Sequence, residues 1–378
     1  VGTEIEADDR ALRYSRRARA LAQMETHDLD ILVLGRQANV RYICGAPQLW
    51  VAGTRPFGPI CTYVRETGEI HLNSTWDEGI PEEIPHENLY GLAWNPMTLI
   101  AVLQNITGSQ TARRVGTDAL TPTFAKLLPM AFPKAELVDG EQAMRDARRV
   151  KTPEEIHALQ RSLDVAEAGL AEAAAQLGTG STEGSLAAAL LEAEAAGGVS
   201  TPATQDAAWV TSKEHPWRRN AGDGRVREGD LVALSAGVLA DGYVGELART
   251  YYVGEPSDAV RSLYRRRDEL WGRLLDACHP GNTTSALLDA YERAGERLPA
   301  MPVAHGLGLG FDPPVVTPHL RATAEREVLE EGVVLALTAY VWEQGVGAVF
   351  TRDAVVIGTD GPRVLTRTPS GAGIPALS

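Results

Sequence analysis

Hydrophobic and polar positions change rhythm several times along the 378 residues, and each change marks an element. DLDILVLGRQANVRYICG, from Asp28 to Gly45, holds an apolar run, ILVL, of buried-strand length, then a helical turn, ANVRYICG, stopped by Gly45. PICTYV and IHLNST are strand-like runs joined by the turn RETGE, which predicts a hairpin. RRVGTDAL, KAELVDG and the helical EQAMRDARRV continue an α/β alternation to about residue 148.

The rhythm lengthens at KTPEEIHALQRSLDVAEAGLAEAAAQLGTG. Thr152 can cap, Pro153 takes the first helical position and Glu155 completes a capping box. Ile156, Leu159, Leu163, Ala166, Leu170, Ala173 and Leu177 then recur in steps of three and four, one buried stripe of a long helix that Gly178 ends. A second helix is predicted near 182–196, strands around 205–212, 230–237 and 242–253, and a helix at 257–278 stopped by His279-Pro280-Gly281. PGNTTSALLDAYERAG supplies a capped helix, and VVLALTAYVWE and GAVFTRDAVVIG two more strands. The expectation is an α/β domain over 1–148 followed by an α+β domain with antiparallel strands over 149–378.

Composition narrows the class. With 44% hydrophobic and 23% charged residues the chain is globular, and its net charge of −14 disfavours nucleic acid and anionic membrane surfaces as partners. Cys44, Cys61 and Cys278 are too few and too widely spaced for a disulfide framework or a zinc ribbon, which suits a reducing cytoplasm. VGTEIEADDRALRYSRRARALAQ has no apolar core of signal-peptide length, no stretch of about 18 uncharged apolar residues follows, and no solenoid period recurs. A cytoplasmic protein without membrane contact is expected.

RRVKTPEEI, GDLVALSAGVLADGYVGELARTYYVG, HPGNTTSALLDAYERAG, AHGLGLGFDPPVV, LEEGVVLALTAYV and GAVFTRDAVVIG occur in the order found in the creatinase, prolidase and methionine aminopeptidase superfamily. The C-terminal domain resembles its pita-bread fold from end to end. DLDILVLGRQANVRYICG looks like the smaller N-terminal domain of creatinases and prolidases.

The resemblance implies a site whose ligands can be checked one by one. Metallopeptidases of the superfamily hold two metal ions with two Asp, one His and two Glu, hard oxygens suited to activating water. The corresponding positions here are Ser235, Glu246, His305, Thr338 and Arg352, with Asp353 beside the last. Only His305 is unchanged, and a permanent cation at Arg352 opposes a divalent ion by Coulomb repulsion. The expectation is therefore no metal and no cofactor. Arg352 becomes a fork for a substrate carboxylate. Creatinase implies the strategy, since it hydrolyses a small guanidino acid by side-chain acid–base chemistry.

In that reading Glu246 and His305 exchange protons with the reacting group, and Ser235, Thr338 and Tyr340 line the pocket. Thr338, Tyr340 and Trp342 alternate along one strand and so share a face. Glu246 can instead form a salt bridge to Arg249 or Arg352, and His305 can be an inherited buried histidine. The loop VTSKEHPWRRNAGDGRVREGD offers His215 as the shuttle that creatinase places there. Its spacing to Gly229 is longer than the family's by a few residues, so Arg218 is the alternative. Arg55 and Phe57 resemble the region from which creatinase-like homodimers send residues into the neighbouring site. Asp312 ends either in the pocket, where Phe311 narrows it, or in a turn before a rigid Pro-Pro segment. The expected activity is metal-independent cleavage or rearrangement of a C–N or related bond in a small carboxylate-bearing substrate. A degenerate shell used for binding, and a peptidase with one metal on Glu246 and His305, are the competing readings.

Overall fold

The computed structural model describes residues 2–46, 60–74, 79–91, 95–199, 203 and 207–368, without the side chains of residues 2–9 and Phe311. Two compact units divide the chain, Val1–Arg148 and Arg149–Ser378.

The first unit is built on short strands. β1 (Ile31–Leu34) is buried along its length, as its unbroken apolar run requires, and α2 (Gln37–Cys44), preceded by α1 (Gly2–Thr26), ends on Gly45 at φ 75°. β2 (Cys61–Val64) and β3 (Ile70–Asn73) form the predicted antiparallel hairpin, and β4 (Leu89–Tyr90) runs parallel to β3. Beyond α3 (Pro96–Gln104) come β5 (Arg114–Thr117), α4 (Pro122–Ala131), β6 (Glu136–Asp139) and α5 (Glu141–Arg149). The sheet order is β4-β3-β2-β1-β5-β6. Charges spread through α1 concealed it from the sequence pattern; its Arg17 donates to the carbonyls of Ile43 and Cys44 at 2.8 and 3.1 Å and so closes the end of α2.

In the second unit α6 (Pro153–Ala175) opens on the predicted capping box: Thr152 Oγ1 accepts from Glu155 N at 3.3 Å and Glu155 Oε2 from Thr152 N at 3.0 Å. Its stripe is buried from Leu159 onward, with Ile156 half-buried, and the helix ends at Ala175, short of Gly178. α7 (Glu183–Ala196) follows. The strand expected around 205–212 is a short β7 (Ala208–Val210), which leads to the long hairpin β8 (Leu231–Ala240) and β9 (Tyr243–Tyr252). After α8 (Asp258–Ala277) and α9 (Ser285–Ala294) come β10 (Ala304–Leu307), β11 (Phe311–Val316), a short α10 (Arg321–Ala324), β12 (Val334–Glu343), β13 (Gly347–Gly358) and β14 (Gly361–Val364). The strands are antiparallel in the order β11-β10-β12-β13-β9-β8-β7, with β14 on β13.

Alternation along the long strands divides this sheet into two faces. Leu234, Ala236 and Leu247 pack with Ala166, Leu170 and Leu190 of the first helix pair, and Leu335, Leu337 and Val355 with Leu263, Leu274 and Leu287 of the second. α6 crosses β9 so closely at Gly245 that a Cβ there would lie 2.5 Å from the Ser162 carbonyl carbon. Successive strand residues face opposite ways, so Glu246 is turned from α6 toward the other face.

Candidate functional site

On that other face β8, β9, β12 and β13 present a polar row among small and aromatic residues. Register places Ser235 opposite Ala248, Ala248 opposite Arg352, and Arg352 opposite Thr338. Period-two spacing then brings Glu246, Phe350 and Tyr340 to the same face. The face opens into a cavity of about 780 Å³ whose walls include Trp209, Trp217, Tyr340 and Phe350 and whose polar lining includes Ser235, Glu246 and Arg352.

Glu246 is the centre of the polar group. Its Oε2 lies 3.1 Å from His305 Nε2 and its Oε1 accepts from Arg352 Nη1. Arg352 Nε donates to Thr338 Oγ1 at 3.1 Å, Nη2 lies 3.5 Å from Met301 Sδ, and the Phe350 ring centroid is 5.3 Å from its Cζ. His305 is set by an irregularity in the β10–β11 pairing between His305 and Gly306. Such bulges re-aim a side chain, and Gly306 allows it because a Cβ there would meet the Pro313 carbonyl oxygen at 2.3 Å. Burial pushes the His305 imidazole down to about 4. The adjoining carboxylate already carries the guanidinium, so it does little to hold a second cation. A neutral ring donating from Nε2 satisfies the geometry.

The next residues along both strands face the opposite way and lock them together. Arg249 Nη2 donates to Asp353 Oδ1 at 2.6 Å, and its Nη1 to the carbonyls of Ala248 and Arg352 at 2.8 and 2.9 Å. Strand alternation thus decides between the two partners open to Glu246: Arg352 shares its face and Arg249 does not.

The structure brings together Glu246, His305, Arg352, Thr338, Ser235, Tyr340 and Arg218, but in different relations to the cavity. Glu246, Arg352, Ser235, Tyr340 and Arg218 line it; His305 and Thr338 stand behind and touch the lining through Glu246 and Arg352. Arg352, expected as a fork for a substrate carboxylate, donates to Glu246 and Thr338, the acceptors that its own face of the sheet presents. His215 is exposed and does not line the cavity; its N–H donates to Ser212 Oγ at 3.2 Å, in the turn ahead of Trp217 and Arg218. Arg55 and Phe57 lie outside the described residues. Asp312 is buried in an ion pair with Lys151 Nζ at 3.1 Å, which Gly308 accommodates because a Cβ there would collide with the carboxylate.

Sequence reasoning passed over Trp209, Met301 and Phe350. Phe350 carried a usable signal, since it precedes Arg352 by two positions in a predicted strand and so shares its face. Trp217 and Tyr340 stack with centroids 3.4 Å apart, and Tyr340 Oη accepts from Trp217 N at 2.8 Å. Among the described residues no three His, Cys, Asp or Glu side chains gather where they could hold a metal ion.

Residues 157–359 match metallopeptidase family M24, and residues 16–150 match the creatinase/prolidase N-terminal domain. The chain is 24% identical over 359 residues to the Xaa-Pro dipeptidase of Pyrococcus horikoshii, covering 91% of this chain and 95% of that one. To the creatinase of a Bacillus species it is 23% identical over 385 residues, covering 94% and 90%. The crystal structure of the Pyrococcus horikoshii prolidase aligns with a TM-score of 0.74 at 20% identity over 94% of this chain and 98% of that one. The antiparallel sheet with its two helix pairs is accordingly the pita-bread α+β fold, preceded by a creatinase-type N-terminal domain, and the chain belongs to metallopeptidase family M24.

Proposed function

We propose that this chain is an M24 enzyme of the creatinase kind, cleaving a C–N or related bond in a small carboxylate-bearing substrate by side-chain acid–base chemistry. The observation that carries the reading is the cavity-facing carboxylate of Glu246, fixed by His305 on one oxygen and Arg352 on the other. A pair of divalent ions does not fit these residues. Ser235 and Thr338 are poor ligands where carboxylates are needed, and the guanidinium on Glu246 repels a cation from its best remaining donor.

In this reading Glu246 takes a proton from water as the water adds to the substrate and returns it to the leaving nitrogen, so the enzyme ends as it began. His305 and Thr338, one step back, are positioning residues. His305 holds the carboxylate in one rotamer, and Thr338 holds the guanidinium that neutralises it. The cavity's volume suits a small molecule. The homodimer implied by the family, with Arg55 reaching a neighbouring site, belongs to the same reading and predicts a particle of twice the chain mass in solution.

The test is an assay of chelator-treated protein against N-acyl, ureido and guanidino acids and Xaa-Pro dipeptides, with and without added Mn²⁺, Co²⁺ or Zn²⁺. Turnover without metal, abolished by Glu246→Gln, is expected. Turnover only with metal, above all of Xaa-Pro dipeptides, overturns the reading.

A further inference from the structure

Among the described residues three guanidinium groups line the cavity, those of Arg218, Arg219 and Arg352, against one lining carboxylate, Glu246. Two are committed. Arg352 is closed on Glu246, and Arg219 Nη1 reaches Glu183 Oε2 at 3.4 Å. Among the described residues no carboxylate pairs with Arg218, although its loop is held: the Ser212 N–H donates to the Arg218 carbonyl at 3.0 Å, and Arg219 bridges Thr211. An exposed guanidinium at the mouth of the cavity with no carboxylate partner among the described residues is a candidate anion site.

The walls add a second requirement. Trp217 stacks on Tyr340, and Trp209 lies 6.0 Å from Phe350 at an interplanar angle of 39°. Four rings around one cavity offer flat apolar faces. Such faces also attract cations, but the Arg218 guanidinium, which no described carboxylate neutralises, stands beside them and repels a further cation.

From this juxtaposition we infer that the cavity takes a flat, unsaturated carboxylic acid, with Arg218 rather than Arg352 holding the carboxylate, and rejects guanidino or amino cations of the same shape. The inference rests on the proposed small-acid substrate and narrows its class. The carboxylate lies at the mouth, the unsaturated body against the rings, and the bond to be cleaved faces Glu246.

Calorimetric titration with cinnamate, its neutral isostere cinnamamide, the cation cinnamylamine and the saturated acid butyrate tests this directly. The aromatic acid is expected to bind about tenfold or more tighter than the amide, as one charge-assisted contact allows, with the amine and butyrate weaker still. Arg218→Ala is expected to erase the acid–amide gap and Arg218→Lys to restore part of it. Arg218 is exposed, so neither change threatens folding. Equal binding of acid and amide, preference for the amine, indifference to Arg218→Ala, or no binding of the acid each overturns the inference. Arg218-dependent acid binding without turnover of any panel member would leave this inference standing and sink the catalytic reading. Amine-selective binding with metal-free turnover would do the reverse.

Discussion

Glu246 and Arg352, on neighbouring strands of one sheet, form a buried ion pair at the floor of the cavity, and His305 occupies the carboxylate's other oxygen. Removing only the cation strands a carboxylate beside a neutral ring. Arg352→Met should therefore cost about 3 kcal/mol, at the low end for a broken buried pair because some of the guanidinium remains accessible. The double variant Glu246→Gln/Arg352→Met should recover more than half of that loss. Urea unfolding of the two single variants and the double gives the coupling; a value near zero would mean that the pair does not act as one in solution.

His305 should remain neutral far below the ordinary imidazole range. Its folded value is about 4 against an ordinary 6.5, so between those values the unfolded chain binds the proton and the folded chain does not. Stability from this residue is complete above pH 6.5 and is lost as the pH falls toward 4, by roughly 3 kcal/mol in all. Ring nitrogen shifts in ¹⁵N-labelled protein should show no titration of His305 between neutrality and about pH 5. His305→Asn should flatten the acid slope of stability. A ring titrating near 6.5 would show that Glu246 is free to hold it charged.

What the chain disclosed about itself follows from the range of each interaction. The capping box at Thr152, the stripe of α6 and the β8–β9 hairpin are set by neighbours a few positions apart, and they fall where periodicity puts them. The grouping of Ser235, Glu246, Thr338 and Arg352 needed strand register, which the family resemblance supplied and periodicity did not. The closure of Arg352 on Glu246 was less legible. Residue types show that an acid and a base share a face, but not whether they meet each other or a ligand. His215 and Arg218 sit three positions apart in a loop, where no period fixes which side chain turns inward; past the turn at Ser212 it is Arg218 that lines the cavity.

Glu194 provides a pH effect remote from the cavity. It is buried on α7 against Gly169 of α6, its Oε1 has no hydrogen-bond partner among the described residues, and burial pushes its carboxyl up to about 7. The folded chain thus keeps a proton that the unfolded chain loses near 4.5, and stability falls as the pH rises from there to about 7. Glu194→Gln should match the native protein near pH 4 and exceed it by about 2–3 kcal/mol at pH 8. Thermal unfolding across that range checks it; a gap independent of pH would mean that Glu194 titrates as an exposed carboxyl does.

Trp217 occupies left-handed backbone at φ 64°, a conformation that costs an L-residue about 1–2 kcal/mol. Two contacts with Tyr340 hold it there, the ring stack and the hydrogen bond from Trp217 N to Tyr340 Oη. Tyr340→Phe keeps the first and removes the second. The net loss should be about 1 kcal/mol, confined to the loop because the sheet beneath does not depend on that hydroxyl. Hydrogen exchange should show the Trp217 amide about fivefold faster while amides of β12 and β13 are unchanged. Since Trp217 and Tyr340 form one wall of the cavity and Arg218 follows directly, the looser loop should raise KM with kcat little altered. A fall in kcat at constant KM would instead place the Tyr340 hydroxyl in the chemistry, because it would then act on the transition state and not on the wall that binds the substrate.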